Sequence, residues 1–432
     1  MDTRPAWKHQ RVPTTQRRLT AHPSTGRRIP GIEGLRAIAA TSIVVYHVWG
    51  SASAEGAPVG VDGRFGHLMT NLSLGVALFF CLSGFLLYRP FAASLLRGAP
   101  LPDRRAYARN RVLRILPAFW VCAVIAIILL GQGQQRDGTL ARPEGLREIA
   151  QLLTLSNDWF PSTIGTGFPV TWSLAVEAVF YVVLPLLATA AALGAAHRVG
   201  SARPLAAALL PVLTLAAIGF GTRFFLLALT DGWDWSDWYG PLETGFLGQA
   251  DLFASGMLVA IVDVQTRDGR WRPPARWRRA VVPLACGLLA LAAWQMPVDA
   301  QLTANPWNCV ATMALSLFLA AVVLPAHAGA PRALALLEWR PVAALGVISY
   351  SVFLWHQPVI DELRAHGLTG SGPSGLVINL VVVMAVTAAV SWVSYRVVEA
   401  PALRHKQPMT RRGPGATAGA VRDTAALSSP AR

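Results

Sequence analysis

The sequence predicts an all-α fold, a polytopic membrane helical bundle of about ten transmembrane helices, and three observations carry that reading. Of the 432 residues, 53% are hydrophobic and 14% charged, against about 25% charged in a soluble domain. The mean hydropathy is +0.43, and the apolar residues come in blocks of about 20, enough to cross a bilayer as helices. The positive charge is also sorted by loop. Of the 38 Lys and Arg, about 31 fall in alternate loops and at the two ends, as the positive-inside rule requires. The net charge of +15 is therefore read as topology, and no nucleic-acid partner is expected.

Taken in order, residues 1–28 form a basic arm with Arg4, Lys8, Arg11, Arg17, Arg18, Arg27 and Arg28. It has no apolar core, so it is expected to be a disordered cytoplasmic arm and not a cleaved signal. Pro30 suits the opening of a helix. The first span covers 32–50 and the second 70–88, and a loop with seven arginines between Arg89 and Arg114 leads into the third at 115–131. Residues 132–168 form the longest polar connection. Within it Gly145–Leu155 has helical periodicity over about three turns, too short to span and suited to an interfacial helix. Spans four and five cover 170–193 and 205–229, followed by the tryptophan-rich loop Asp231–Tyr239, whose rings suit the headgroup region. The sixth span, 246–264, precedes a basic loop at Arg267–Arg279, and the last four cover 280–296, 307–325, 342–360 and 375–395. Residues 29–400 make the membrane domain, and 401–432 are expected to be a disordered cytoplasmic tail. An even number of spans puts both termini in the cytoplasm. Cys81, Cys122, Cys286 and Cys309 have no metal-ligand spacing, so no metal is expected.

Several polar residues sit where lipid should reject them. Arg36 lies inside the first span, where a central Arg costs about 2.5–3.5 kcal/mol on insertion scales and normally faces protein or water. His47 follows eleven residues later. Eleven steps of about 100° close about three turns, so the two share one face, about 16 Å apart along the axis. Glu33, three residues before Arg36, is the local partner an ion pair would use. Arg111 and Arg114 stand three apart where a basic loop enters a span, so two guanidiniums can clamp one anion. Glu177, in Trp172-Ser173-Leu-Ala-Val-Glu177, is a carboxylate in an apolar helix; Arg36, Arg223 and a histidine are all candidate partners. His356, in Ser349-Tyr350-Ser-Val-Phe-Leu-Trp-His356-Gln-Pro358, precedes a proline that can kink the helix and free carbonyls to line a cavity. Glu33, Ser173, Tyr350 and His356 are the candidate cavity-lining residues.

These stretches together resemble the acyltransferase-3 family of bacterial integral-membrane O-acyltransferases. The likeness rests on Gly31-Ile-Glu-Gly-Leu-Arg-Ala-Ile-Ala with His47, on Phe79-Phe-Cys-Leu-Ser-Gly-Phe-Leu-Leu, on Arg111-Val-Leu-Arg-Ile-Leu-Pro, on Trp172-Ser-Leu-Ala-Val-Glu-Ala-Val-Phe-Tyr and on the Ser349–Pro358 stretch. It covers about residues 29–400. The resemblance implies an acyl-CoA donor, usually acetyl-CoA, as co-substrate with no tightly bound cofactor. It implies a hydroxyl acceptor on a glycan, a lipid or lipid-linked sugar, or a natural product such as a secondary metabolite. Arg36 and His47 match the family's Arg-x10-His pair, and Arg111 and Arg114 its Arg-x-x-Arg motif. Two departures are Glu33 where Asp is common and Val398-Glu-Ala-Pro401 where Glu-Arg-Pro or Glu-Lys-Pro is frequent.

The expectation is a multi-pass enzyme of the bacterial cytoplasmic membrane, surrounded by membrane lipids. Arg111 and Arg114 bind the donor, and His47, Arg36 and Glu177 form the catalytic group. A neutral imidazole suits proton exchange near neutrality. The alternative is a membrane transporter that uses buried Arg, Glu and His for substrate or proton coupling.

Overall fold

The computed structural model describes residues 29–409, apart from 53–57, 136–138, 144, 169, 197–203, 230–237, 275, 296–306 and 325–331. The basic arm 1–28 and most of the tryptophan-rich loop lie outside the described residues. In chain order the helices are α1 (Ile32–Ser51), α2 (Arg64–Asn71), α3 (Leu74–Arg97), α4 (Arg104–Ala123), α5 (Leu146–Leu153), α6 (Thr171–Ala196), α7 (Pro204–Ala228) and α8 (Gly240–Thr244). They continue as α9 (Phe246–Arg267), α10 (Trp277–Gln295), α11 (Trp307–Val323), α12 (Arg332–Leu337), α13 (Arg340–Val347), α14 (Ser349–Ala365), α15 (Gly372–Ser394) and α16 (Ala400–Arg404). A two-residue hairpin, β1 (Gly133–Gln134) against β2 (Leu140–Ala141), follows α4. The predicted short helix of the long connection is α5.

The chain is a multi-pass membrane bundle. Among the described residues seven helices are long and apolar enough to cross a membrane, and the bent pair α13–α14 makes an eighth. The other two predicted spans are helical as well. α11, at 17 residues, is short for a bilayer. α1 is 20 residues long, but Arg36 and His47 dilute its hydropathy. It can carry them because it is clasped by protein, with α3 on one side and α13, α14 and α15 on the other. Leu35, Ala39, Ile43 and Val44 are all essentially inaccessible.

Close helix contacts are made by glycines. A Cβ on Gly84 would strike the Phe253 carbonyl, and one on Gly256 the Cys81 carbonyl, so α3 and α9 meet backbone to backbone. This is the small-residue packing that replaces hydrophobic drive between membrane helices. Gly346 of α13 is seated the same way on the Glu33 carbonyl of α1.

The bundle has an arginine-rich face and an opposite face. At the first, Arg97 of α3 pairs with Asp268 just beyond α9 at 2.6 Å, and Asp263 is shared by Arg89 at 2.6 Å and Arg267 at 2.7 Å. Asp103 caps α4 by accepting from Ala106 N at 2.9 Å. The opposite face holds the end of α1, the hairpin, α5 and the end of α14, tied together where Gln132 Nε2 donates to Glu362 at 2.9 Å.

Two expectations need correction. The tail was expected to lose order from residue 401, yet α16 runs to Arg404 and residues up to 409 pack on α4. Asn110 exchanges two hydrogen bonds with the Gln407 backbone, at 2.8 and 2.9 Å, and Asp103 N donates to Met409 O. These backbone partners, which composition does not reveal, fix the segment. The break in the ninth span also lies elsewhere. Pro358 sits inside a continuous α14, while α13 and α14 meet at 73° around Ile348, ten residues earlier.

Candidate active site

The site is organised by the face of α1 that looks at α14. One turn into α1, Arg36 Nε donates to Ser349 Oγ at 3.1 Å and to Gly346 O at 3.4 Å. The α13–α14 break explains why that carbonyl is available: a helix that stops at Val347 leaves its last carbonyls without intrahelical partners. The Arg36 guanidinium also lies 5.9 Å from the Phe79 ring centre.

Three turns further along α1, His47 meets the other predicted histidine. His356 Nε2 lies 3.1 Å from His47 Nδ1, and the ring centres are 4.9 Å apart. The surrounding acceptors dictate the tautomers. His356 Nδ1 is 2.7 Å from the Phe353 carbonyl, which can only accept, so in the neutral ring Nδ1 carries the hydrogen and Nε2 is an acceptor. His47 Nδ1 is then flanked by two acceptors, His356 Nε2 and the Ile43 carbonyl at 3.0 Å. It must carry the hydrogen too. The Nε2 lone pair of neutral His47 is therefore left for chemistry. His356 is wholly buried and His47 half-buried, so the inner ring orients and the outer ring is presented.

At the arginine level lies a small cavity of about 60 Å³, closed on the histidine side by Phe79 and Phe353. Arg36, Arg114, Ser83, Ser173, Glu177 and Tyr350 line it on the polar side, and Phe79 and Phe353 on the apolar side. Ser83 donates to Glu177 at 2.6 Å, Ser173 to the Val170 carbonyl at 3.1 Å and Tyr350 to the Ile115 carbonyl at 2.8 Å. Phe79 and Phe353 meet edge to face, with ring centres 6.0 Å apart, and Phe353 also reaches the His356 ring at 5.8 Å. The aromatic pair thus stands between the arginine level and the histidine level. Glu177 belongs to the arginine level; the side chain that holds His47 is His356. Neither Glu33 nor His356, nor His47 itself, is among the described residues lining the cavity; the Glu33 backbone carbonyl is packed against Gly346.

Arg111 and Arg114 enter from the arginine-rich face. Arg114 pairs with Glu399 at 3.0 Å, with side-chain exposures of 18% and 2%, and lies 5.3 Å from the Tyr350 ring centre. Arg111 lies between the rings of Tyr107 and Tyr181, at 5.9 and 5.6 Å, and its buried Nε has no hydrogen-bond partner. Lys406, on the segment strapped over α4, completes a cationic mouth. Lys406 is exposed as a residue, and partial loss of hydration with the charges of Arg114, Arg111 and Arg36 lowers its pKa toward about 7.

Sequence reasoning missed Glu399, Ser83, the Phe79–Phe353 pair and Lys406. Glu399 keeps the glutamate of the Glu-x-Pro motif, in which Ala400 is the departure, but a π-helical turn at Tyr395–Glu399 swings it toward α4, where it pairs with Arg114 and accepts from Ser351. Phe79, Ser83 and Phe353 lie in stretches that carry the family resemblance but had no role assigned, and Lys406 carried no signal beyond basic composition.

The sequence also matches known proteins. A family model for an acyltransferase domain matches residues 29–396. The chain is 26% identical over 352 residues to a putative peptidoglycan O-acetyltransferase of Bacillus subtilis, covering 77% of this chain and 49% of that protein. It is 24% identical over 401 residues to an O-acetyltransferase of Staphylococcus aureus, covering 87% and 57%. A peptidoglycan O-acetyltransferase of Listeria monocytogenes is 28% identical over 171 residues, covering 36% and 24%. The chain spans about half the length of the first two relatives. No solved structure matches it. With most of its length under one family model, and with the polar residues of that family gathered on α1, α4, α6 and α14, the chain belongs to the acyltransferase-3 family.

Proposed function

We propose that the protein is a membrane O-acyltransferase that moves an acyl group, acetyl in the simplest case, from acyl-CoA to a hydroxyl of a glycan. The observation that carries this reading is the histidine pair, which leaves one imidazole lone pair unspent at a fixed place. The arginine-rich face is assigned to the cytoplasm by its charge, with both ends of the chain on that side. The relatives named as peptidoglycan O-acetyltransferases support a glycan acceptor. Membership of an acyltransferase family favours the enzyme over the transport alternative.

In the proposed reaction Arg111, Arg114 and Lys406 hold the anionic end of the donor by charge-assisted hydrogen bonds. The 60 Å³ cavity is far too narrow for a nucleotide, so the nucleotide stays at the mouth and only the slender thioester arm advances past Arg36. Phe79 and Phe353 must turn aside for it. His47 Nε2 takes the proton of the acceptor hydroxyl as that oxygen attacks the acyl carbon. The tetrahedral intermediate collapses, the C–S bond breaks, and the imidazolium returns the proton to the CoA thiolate. His356 Nε2 stabilises the imidazolium by accepting from His47 Nδ1 throughout. If the same lone pair instead attacks the thioester directly, an acylated His47 forms first, and labelled protein trapped without acceptor distinguishes the two routes. Mass spectrometry of cell-envelope glycans with and without the protein tests the function. Loss of acetyl groups from one glycan class supports it, and an unchanged profile of all acylated glycans, lipids and metabolites overturns it.

A further inference from the structure

The connection between α4 and α6 contains a second cavity, on the face opposite the arginine mouth. Its volume is about 320 Å³, within the about 300–1,000 Å³ typical of ligand sites. The described residues lining it mix polar side chains, Gln134, Gln151, Asn157, Ser162, Thr163 and Thr166 among them, with apolar surface such as Leu152 and Pro143, and the charged residue among them is Glu148. Amides and hydroxyls both donate and accept. Such a lining suits a neutral, hydroxyl-rich molecule and disfavours an anion.

One lining residue carries an unmet acceptor. Asn157 is only 4% exposed. Its Nδ2 donates to the Thr166 carbonyl at 2.5 Å and to Thr171 Oγ1 at 3.3 Å, while its buried Oδ1 has no partner. A buried acceptor left unmet is costly, and rotation of the amide toward the cavity would let a sugar hydroxyl or acetamido N–H meet it. The cavity is also coupled to the histidine level. Gln132, adjoining β1, donates to the Pro358 carbonyl at 3.3 Å, two residues beyond His356. Leu152, Leu155 and Phe168 of the same connection share a buried cluster with Tyr350, Phe353 and Trp355 of α14.

We infer that this cavity binds a neutral saccharide segment of the acceptor, gripped by Asn157, Gln151 and Thr163, so that the chain next to it offers a hydroxyl to His47. Donor and acceptor then approach from opposite faces and meet at the histidine pair. This rests on the acyl-transfer reading for its purpose, but its binding claim can be tested separately. The full-length protein in detergent or nanodiscs is titrated with chitotetraose, an uncharged N-acetylated tetrasaccharide, by saturation-transfer NMR. The wild type is expected to bind with a millimolar or lower Kd. Gln151→Ala, which removes a half-buried lining amide, and Asn157→Ala are expected to weaken binding about three- to tenfold, the range for one lost hydrogen bond. CoA affinity stays unchanged in both. Gln151→Ala guards against the case in which Asn157→Ala merely loosens the loop. His47→Gln is expected to bind the saccharide as the wild type does. Absence of chitotetraose binding, or binding indifferent to both variants, overturns the site even if acetyl transfer to another acceptor is measured. Binding that both variants weaken, with no acyl transfer to any acceptor, keeps the site and removes the enzymatic reading.

Discussion

Replacing His356 separates a positioning imidazole from the reacting one. In the structure His47 Nδ1 has two acceptors, His356 Nε2 at 3.1 Å and the Ile43 carbonyl at 3.0 Å. His356→Leu removes the first and leaves the second, so His47 keeps a bias toward the productive tautomer but loses the partner that stabilises its cation. A lost hydrogen bond to a group that becomes charged is worth about 1.5–3 kcal/mol, and each 1.36 kcal/mol is about tenfold in rate. The expected fall in kcat is therefore about 10- to 150-fold, with the KM for acetyl-CoA nearly unchanged because the arginine mouth is untouched. His356→Gln can place an amide oxygen near the Nε2 position and is expected to recover much of the loss. The assay is steady-state release of CoA thiol by the reconstituted protein, with thermal unfolding run in parallel to check the fold. Equal activity of His356→Leu and wild type refutes the positioning role, as does an equal loss in the Leu and Gln variants with both folds intact.

Three further outcomes follow from single contacts. Lys406, lowered toward about 7 while exposed at the rim, gains positive charge as pH falls from 8 to 6, and a bound anion favours the charged form. CoA affinity should thus strengthen as pH falls through 7, by about three- to tenfold between pH 8 and 6 once solvent screening is allowed for; Lys406→Gln should flatten that dependence in a calorimetric titration. Gly346→Ala forces a Cβ into the Glu33 carbonyl. It should push α13 off α1, disturb the Arg36 contacts to Gly346 and Ser349, lower the thermal midpoint by several degrees and raise the donor KM, whereas a wild-type midpoint and KM would show that the contact is not needed. Asp158, 7% exposed, is raised to about 6 by burial, against the bonds from Gly165 N and Thr171. Its folded pKa exceeds the unfolded 3.8, so its contribution is most favourable below about pH 4 and is lost as pH rises through 6. That difference is at most about 2–3 kcal/mol, and Asp158→Asn should abolish it in amide-exchange protection of the 146–171 connection compared at pH 5 and 7.

Helix periodicity made much of this legible. Each of the ten predicted segments is helical among the described residues, and seven, or eight with the bent pair, are long and apolar enough to span, because bilayer thickness leaves little freedom in their length. The 100° step placed Arg36 and His47 on one flank, and the structure turns both toward α14. What periodicity cannot supply is the partner across the bundle. His47 and His356 are 309 residues apart, and Arg114 and Glu399 are 285 apart. The break near Ile348 was hidden for a related reason. Pro358 looked like the kink, yet α14 absorbs it, and the Leu354 carbonyl four residues earlier accepts from Cys122 Sγ at 3.5 Å. The bend occurs instead where Gly346 meets α1, a tertiary contact with no local signature. The order of residues 401–409 has no local signature either, because the two hydrogen bonds that hold the Gln407 backbone come from the Asn110 side chain on a distant helix.

Single-turnover acetyl transfer from labelled acetyl-CoA in sealed proteoliposomes, with wild type beside His47→Gln, bears most directly on the whole account. The wild type should lose the label from CoA and deliver it to a saccharide hydroxyl, while His47→Gln, still inserted and still binding CoA, should transfer at least about a hundredfold more slowly. Transfer by His47→Gln at the wild-type rate would contradict the account, since the imidazole lone pair left open beside His356 would then have no part in the reaction.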